Sequence, residues 1–180
     1  IPVFAEMGSI NPVILLEEKL NNDPVGLAGL YAGSITLGVG QFCTNPGLLL
    51  AVKSDALDTF SAELTSSLDT QASGTMLNKG ISLAYSVGRK NAITENGVEL
   101  RTKDDSSNAV PTLAVTSGEN FLKNANLHAE IFGPFSLLVE CDSKEELEAI
   151  VQSLEGQLTG TLMGTDADFT NNVSLINSLQ

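Results

Sequence analysis

The sequence predicts an α/β domain of three layers, with helices on both faces of a mainly parallel sheet. Three observations predict it. The run Leu48-Leu49-Leu50-Ala51-Val52 is continuously apolar, the pattern of a strand covered on both faces. Leu57, Phe60, Leu64 and Leu68 follow at helical spacing, so a helix succeeds that strand. Nearer the C-terminus, residues 136–141 and 158–163 read as strands around a helix opened by Ser143-Lys144-Glu145-Glu146, a βαβ unit whose crossover should be right-handed.

Taken in order, the apolar runs Val3 to Met7 and Val13 to Leu16 read as buried strands or their extensions. Asp23 is a helix cap with Pro24 at the first helical position, where a missing N–H is harmless. The helix should run from residue 25 to 39 and turn Leu27, Leu30, Tyr31 and Ile35 inward. Its small residues, Gly26, Ala28, Gly29, Ala32, Gly33 and Ser34, suggest close backbone packing despite a cost near 1 kcal/mol per glycine. Residues 76–87 are a further helix, Asn96-Gly97 a tight turn and residues 106–108 a polar loop. Residues 112–116 alternate like a strand. After the capping box, Leu147, Ile150, Val151 and Leu154 form a helical stripe. A last helix should turn Phe169, Val173 and Ile176 inward. Nothing repeats and no linker interrupts the chain, so residues 1–180 read as one domain.

Nine basic against 22 acidic residues, a formal charge of -13, exclude a nucleic-acid binder, which needs clustered Lys and Arg. No apolar run approaches the roughly 20 residues of a membrane span, and no signal peptide is evident, so no membrane partner is expected and the cytoplasm is the default location. One His and two Cys without ligand spacing give no metal site. The apolar start without Met and the helical end suggest a domain excised from a longer chain.

The segment Gly40-Gln41-Phe42-Cys43-Thr44-Asn45-Pro46-Gly47 sets a cysteine between turn-forming residues. A thiol attacks as its thiolate and needs an accessible position near backbone N–H donors, which such a segment supplies. The same residues also suit a small buried hydrophobe in a turn. Upstream stands Glu6-Met7-Gly8-Ser9-Ile10-Asn11-Pro12, and downstream Glu130-Ile131-Phe132-Gly133-Pro134-Phe135. In this order the three segments resemble the catalytic portion of the aldehyde dehydrogenase superfamily, over essentially the whole chain. Their wording is most similar to the branch that oxidises 2-oxoglutarate semialdehyde. The common Leu-Gly-Gly-Lys is replaced here by Met7-Gly8-Ser9-Ile10.

The resemblance implies an aldehyde dehydrogenase catalytic-domain fold and NADP or NAD as hydride acceptor. It implies a small aldehyde substrate and homo-oligomers in the full-length protein. Cys43 would be the nucleophile and Glu6 the base for hydrolysis. Flanking by Phe4, Ala5 and Met7 would disfavour the charged form of Glu6, which suits a base, although a strand-edge carboxylate fits the residues as well. Glu130 would accept from the nicotinamide ribose hydroxyls and Phe132 would pack near the ring, against the alternatives of a surface charge and a core aromatic. Met7, through its carbonyl, and Gly8 would border the nicotinamide. The oxyanion Asn and the dinucleotide-binding domain lie upstream in this family. A long-chain aldehyde dehydrogenase, a cysteine hydrolase using His128, and an inert structural module are the competing readings. His128 itself reads as a loop residue beside the cofactor segment.

Overall fold

The computed structural model describes residues 1–2, 8–105 and 109–179. The strand expected over residues 3–7 and the loop over 106–108 lie outside them. Among the described residues, six strands form one sheet in the order β3-β4-β5-β2-β1-β6. Its core is β1 (Pro12–Leu15), β2 (Leu48–Val52), β4 (Thr112–Ser117) and β5 (Phe135–Cys141). Register runs Pro12 to Leu48, Leu48 to Leu137 and Thr112 to Phe135, all parallel. Only β3 (Val98–Leu100), on one edge, is antiparallel.

Alternation along the strands makes two apolar layers. Val13, Leu15, Leu49, Ala51, Leu113 and Val115 face α2 (Pro24–Thr36) and α3 (Asp55–Asp69), meeting Tyr31, Ile35, Phe60 and Leu64. Ile14, Leu48, Leu50, Ala114, Leu137 and Val139 face the other way, where α4 (Lys79–Thr94), α5 (Gly118–Lys123) and α6 (Lys144–Ser153) bring Tyr85, Phe121 and Ile150. The three-layer α/β architecture with a mainly parallel sheet is therefore present. Thr112 to Thr116 is a strand, as its alternation predicts, and is buried on both faces, because α3 covers one face and α4 with α5 the other.

Capping was legible and the inward faces were less so. Asp23 accepts the Gly26 N–H at 2.9 Å and Ser54 caps α3 from Leu57. Ser143 accepts the Glu146 N–H, but the Glu146 carboxylate turns back to the Asp142 N–H, one residue short of the expected box. A short helix, α1 (Glu17–Asn22), precedes the Asp23 cap unanticipated.

In α2, Leu27, Tyr31 and Ile35 are buried with Ala28 and Ala32, whereas Leu30 is 57 % exposed. A Cβ on Gly29 or Gly33 would meet nothing within 4 Å, so these glycines admit no neighbouring backbone. The helix stops at Thr36 because Gly38, Val39 and Gly40 all take positive φ, at 56°, 60° and 64°. Residues 76–78 precede α4, which runs on to Thr94.

β6 (Thr161–Met163) is shorter than expected and pairs with β1, so the α6 crossover passes over two strands. The last helix is two pieces, α7 (Asp166–Asn171) and α8 (Val173–Asn177), which bury Asp168 and Leu175 and leave Phe169 and Val173 exposed. Asp168 breaks the apolar pattern because it accepts the N–H groups of Glu18, Lys19 and Thr165.

Candidate active site

Three neighbouring parallel strands, β1, β2 and β5, are each entered through one of the singled-out segments. Asn11 precedes β1, Cys43 to Gly47 precede β2, and Glu130 to Pro134 precede β5. The candidate site therefore lies off the amino ends of these strands. Ligands in open α/β sheets usually bind off the carboxyl ends, so fold alone would point to the wrong side.

Cys43 is exposed, at the second position of a turn closed by the Asn45 N–H on the Phe42 carbonyl at 3.1 Å. This decides against a buried hydrophobe. The closing bond uses the Asn45 N–H and not that of Cys43. Three contacts hold the turn. Asn11 Nδ2 donates to the carbonyls of Cys43 and Asn45, at 2.9 Å each. Asn45 Nδ2 donates to the Gly133 carbonyl at 3.1 Å. Gly40, at φ 64°, lies so close to the third segment that a Cβ there would sit 2.2 Å from the Gly133 carbonyl carbon and 2.4 Å from the Pro134 nitrogen. No side chain larger than hydrogen fits.

Phe132 is half-buried and Glu130 exposed. Both line a cavity of about 30 Å³ with Gly40, Asn45 and Ile10. Glu130 also borders a polar cleft of about 250 Å³ shared with Gly8, Ser9, His128, Glu155 and Gln157. A Cβ on Gly8, whose φ is 123°, would lie 3.1 Å from Glu130 Oε2. Glycine there lets residue 8 and the Glu130 carboxylate lie this close. The structure thus brings Cys43, Gly8, Glu130 and Phe132 to one edge. Glu6 and Met7 lie outside the described residues.

His128 stacks on Phe121, ring centroids 4.2 Å apart, and its Nε2 lies 2.9 Å from the Phe121 carbonyl. That ring is committed to α5. The second thiol, Cys141, is fully buried at the end of β5, and burial, with Glu146 and Asp142 adding to it, pushes its pKa up to about 12.

No family model matches the chain. Alpha-ketoglutaric semialdehyde dehydrogenase 2 of Azospirillum brasilense is 40% identical over 173 residues, covering 93% of this chain and 33% of that protein. The chain is homologous to part of an aldehyde dehydrogenase. The alpha-ketoglutaric semialdehyde dehydrogenase of Acinetobacter baylyi is 35% identical over 184 residues, 99% of this chain and 35% of its own length. The chain thus spans about a third of the curated relatives it matches. Succinic semialdehyde dehydrogenase of Streptococcus pyogenes, solved with NADP+, superposes with a TM-score of 0.73 at 19% identity, over 97% of this chain and 39% of that one. The aldehyde dehydrogenase fold is therefore shared. In this chain, sequence reasoning did not single out Asn11, Gly40 and Gln157 as site residues. Only the αL demand at Gly40 left any sequence trace, and the contacts they make are long-range.

Proposed function

We propose that this chain carries the nucleophile and the hydrolytic base of an aldehyde dehydrogenase acting on 2-oxoglutarate semialdehyde, with NADP or NAD as acceptor. The observation that carries the reading is the exposed Cys43 at the corner of a turn that Asn11 braces and that Asn45 ties to the segment of Glu130 and Phe132. The names of the curated relatives support the substrate. The same reading takes residues 1–180 as a catalytic domain within a longer, cytoplasmic, homo-oligomeric protein.

The Cys43 thiolate attacks the aldehyde carbon, forming a C–S bond and a thiohemiacetal whose oxyanion the Cys43 N–H helps hold. A bound nicotinamide supplies the acceptor for the hydride lost as the thiohemiacetal collapses to a thioester. Glu6 takes a proton from water, the hydroxide adds to the thioester, and the C–S bond breaks to give carboxylate and free thiol. Glu130 fits the dinucleotide because a carboxylate on an exposed residue can accept from both hydroxyls of a ribose diol. Phe132 would pack near the nicotinamide, with Met7 and Gly8 along its border. The hydrolase reading is disfavoured because His128 stacks on Phe121 with Nε2 at the Phe121 carbonyl, and no hydrogen bond between described residues joins it to Cys43.

In the whole enzyme, Cys43→Ser should abolish aldehyde oxidation. Glu6→Gln should release one burst of reduced dinucleotide per active site and then stall as the thioester. A Cys43→Ser enzyme that still turns over would overturn the assignment.

A further inference from the structure

Asn11 stands immediately before β1, 3% exposed, with φ at 46°. Both its donors and both its acceptor lone pairs have partners. Nδ2 gives its two protons to the carbonyls of Cys43 and Asn45. Oδ1 accepts from the Thr159 hydroxyl at 2.9 Å and from the Ser9 hydroxyl at 2.9 Å, whose single proton is shared with Gln157 Oε1 at 3.1 Å. The platform under Asn11 is itself fixed, since Gln157 Oε1 accepts the Ile10 N–H at 2.8 Å and Ser9 Oγ accepts the Leu158 N–H at 3.0 Å.

Carbonyls in an exposed turn are satisfied by water without help. Here they are instead gripped by a buried amide in a left-handed conformation that L residues other than Asn and Asp rarely adopt. Few side chains meet both demands. Aspartate would tolerate the backbone but set a carboxylate against two carbonyl oxygens, and serine has one proton for two acceptors. Gripping the carbonyls of Cys43 and Asn45 fixes the peptide planes that follow these two residues, and the first of them sets the direction in which the Cys43 side chain leaves the turn.

We propose that Asn11 is a positioning residue, holding the Cys43 turn in the orientation at which the thiol meets the aldehyde carbon. This rests on Cys43 being the nucleophile. Asn11 touches neither substrate nor cofactor and acts through the Cys43 backbone, so its loss lowers turnover and leaves dinucleotide binding alone.

The test uses the whole enzyme with Asn11→Gly, which takes φ 46° freely and removes only the amide, and Asn11→Asp, which keeps the acceptors for Ser9 and Thr159 and removes both donors. In each, kcat should fall about 10²-fold, the order expected for a displaced catalytic group, with the dinucleotide KM within about twofold. Iodoacetamide should still label Cys43 and spare Cys141, which is fully buried and reports loss of the fold. A kcat within about threefold of the parent in either folded variant overturns the proposal. So does exposure of Cys141 in both variants, which would make Asn11 a folding residue. Complete alkylation of Cys43 in the parent separates the two readings. An alkylated parent that still turns over removes the nucleophile, and Asn11's role with it. A dead alkylated parent beside fully active Asn11 variants sinks the Asn11 role alone.

Discussion

Two Gly→Ala substitutions seven residues apart, at Gly40 and Gly33, should act with opposite sign. Gly40 has φ 64°, and its added Cβ would lie 2.2, 2.3 and 2.4 Å from three backbone atoms of Gly133 and Pro134. Backbone cannot rotate away as a side chain can. The left-handed conformation costs alanine about 1–2 kcal/mol. Relieving the overlap costs about 1–3 kcal/mol more, as for other overpacked sites. Against this stands about 0.4–1 kcal/mol from a less flexible unfolded chain. The net is a destabilisation of about 2–4 kcal/mol, and with a urea slope near 2 kcal/mol/M the midpoint should drop by about 1–2 M. Gly33 lies in α2 with nothing within 4 Å of its added Cβ. Gly33→Ala should stabilise by up to about 1 kcal/mol and raise the midpoint by up to about 0.5 M. Equilibrium urea unfolding followed by circular dichroism measures both. A Gly40→Ala midpoint within about 0.3 M of the parent, or a Gly33→Ala protein less stable than the parent, would refute the reasoning.

The two thiols should differ sharply toward iodoacetamide at pH 7. Cys141, with a pKa pushed up to about 12, has about one thiolate in 10⁵, and should stay unmodified while the exposed Cys43 is labelled. Equal labelling of both by mass spectrometry in the native protein would contradict the fold around β5. Asp168 should shape the acid limb of stability. Burial pushes its carboxyl up, but the N–H groups of Thr165, Glu18 and Lys19 and the Thr165 hydroxyl outweigh this and hold it below the ordinary Asp range. Its contribution is present above the unfolded-state value near pH 3.9 and is lost as pH falls through the lower folded value. Asp168→Asn should cost about 2 kcal/mol at pH 7 and flatten that limb, and an acid limb identical to the parent's would argue against it.

What the sequence made legible is what depends on neighbours. Asp23 with Pro24, Ser143 with Glu146, and the five apolar residues of β2 state their conformation locally. Inward faces were read wrongly where an apolar residue is surplus to a helix's buried side, as at Leu30, Phe169 and Val173. Asp168 shows the converse, a carboxylate buried because distant N–H groups converge on it. At the site, the Cys43 segment and Glu130 with Phe132 announce themselves as motifs. Their juxtaposition, and the grip of Asn11, are properties of three strand entrances brought side by side by parallel pairing, which no local window contains.

The strand order also bears on how the chain is made. β1 and β2, made before the other four described strands, sit in the middle of the sheet, and their outer partners are β6 and β5. Between Val52 and Phe135, at about 5–20 residues per second, about 4–17 s pass on the ribosome. Until β5 has been made, β1 and β2 can pair with each other, but the outer edge of each, apolar on both faces, still lacks its native neighbour. A nascent chain of this topology is expected to depend on strand-holding chaperones during translation, and to be most prone to aggregate when translation stalls before residue 135.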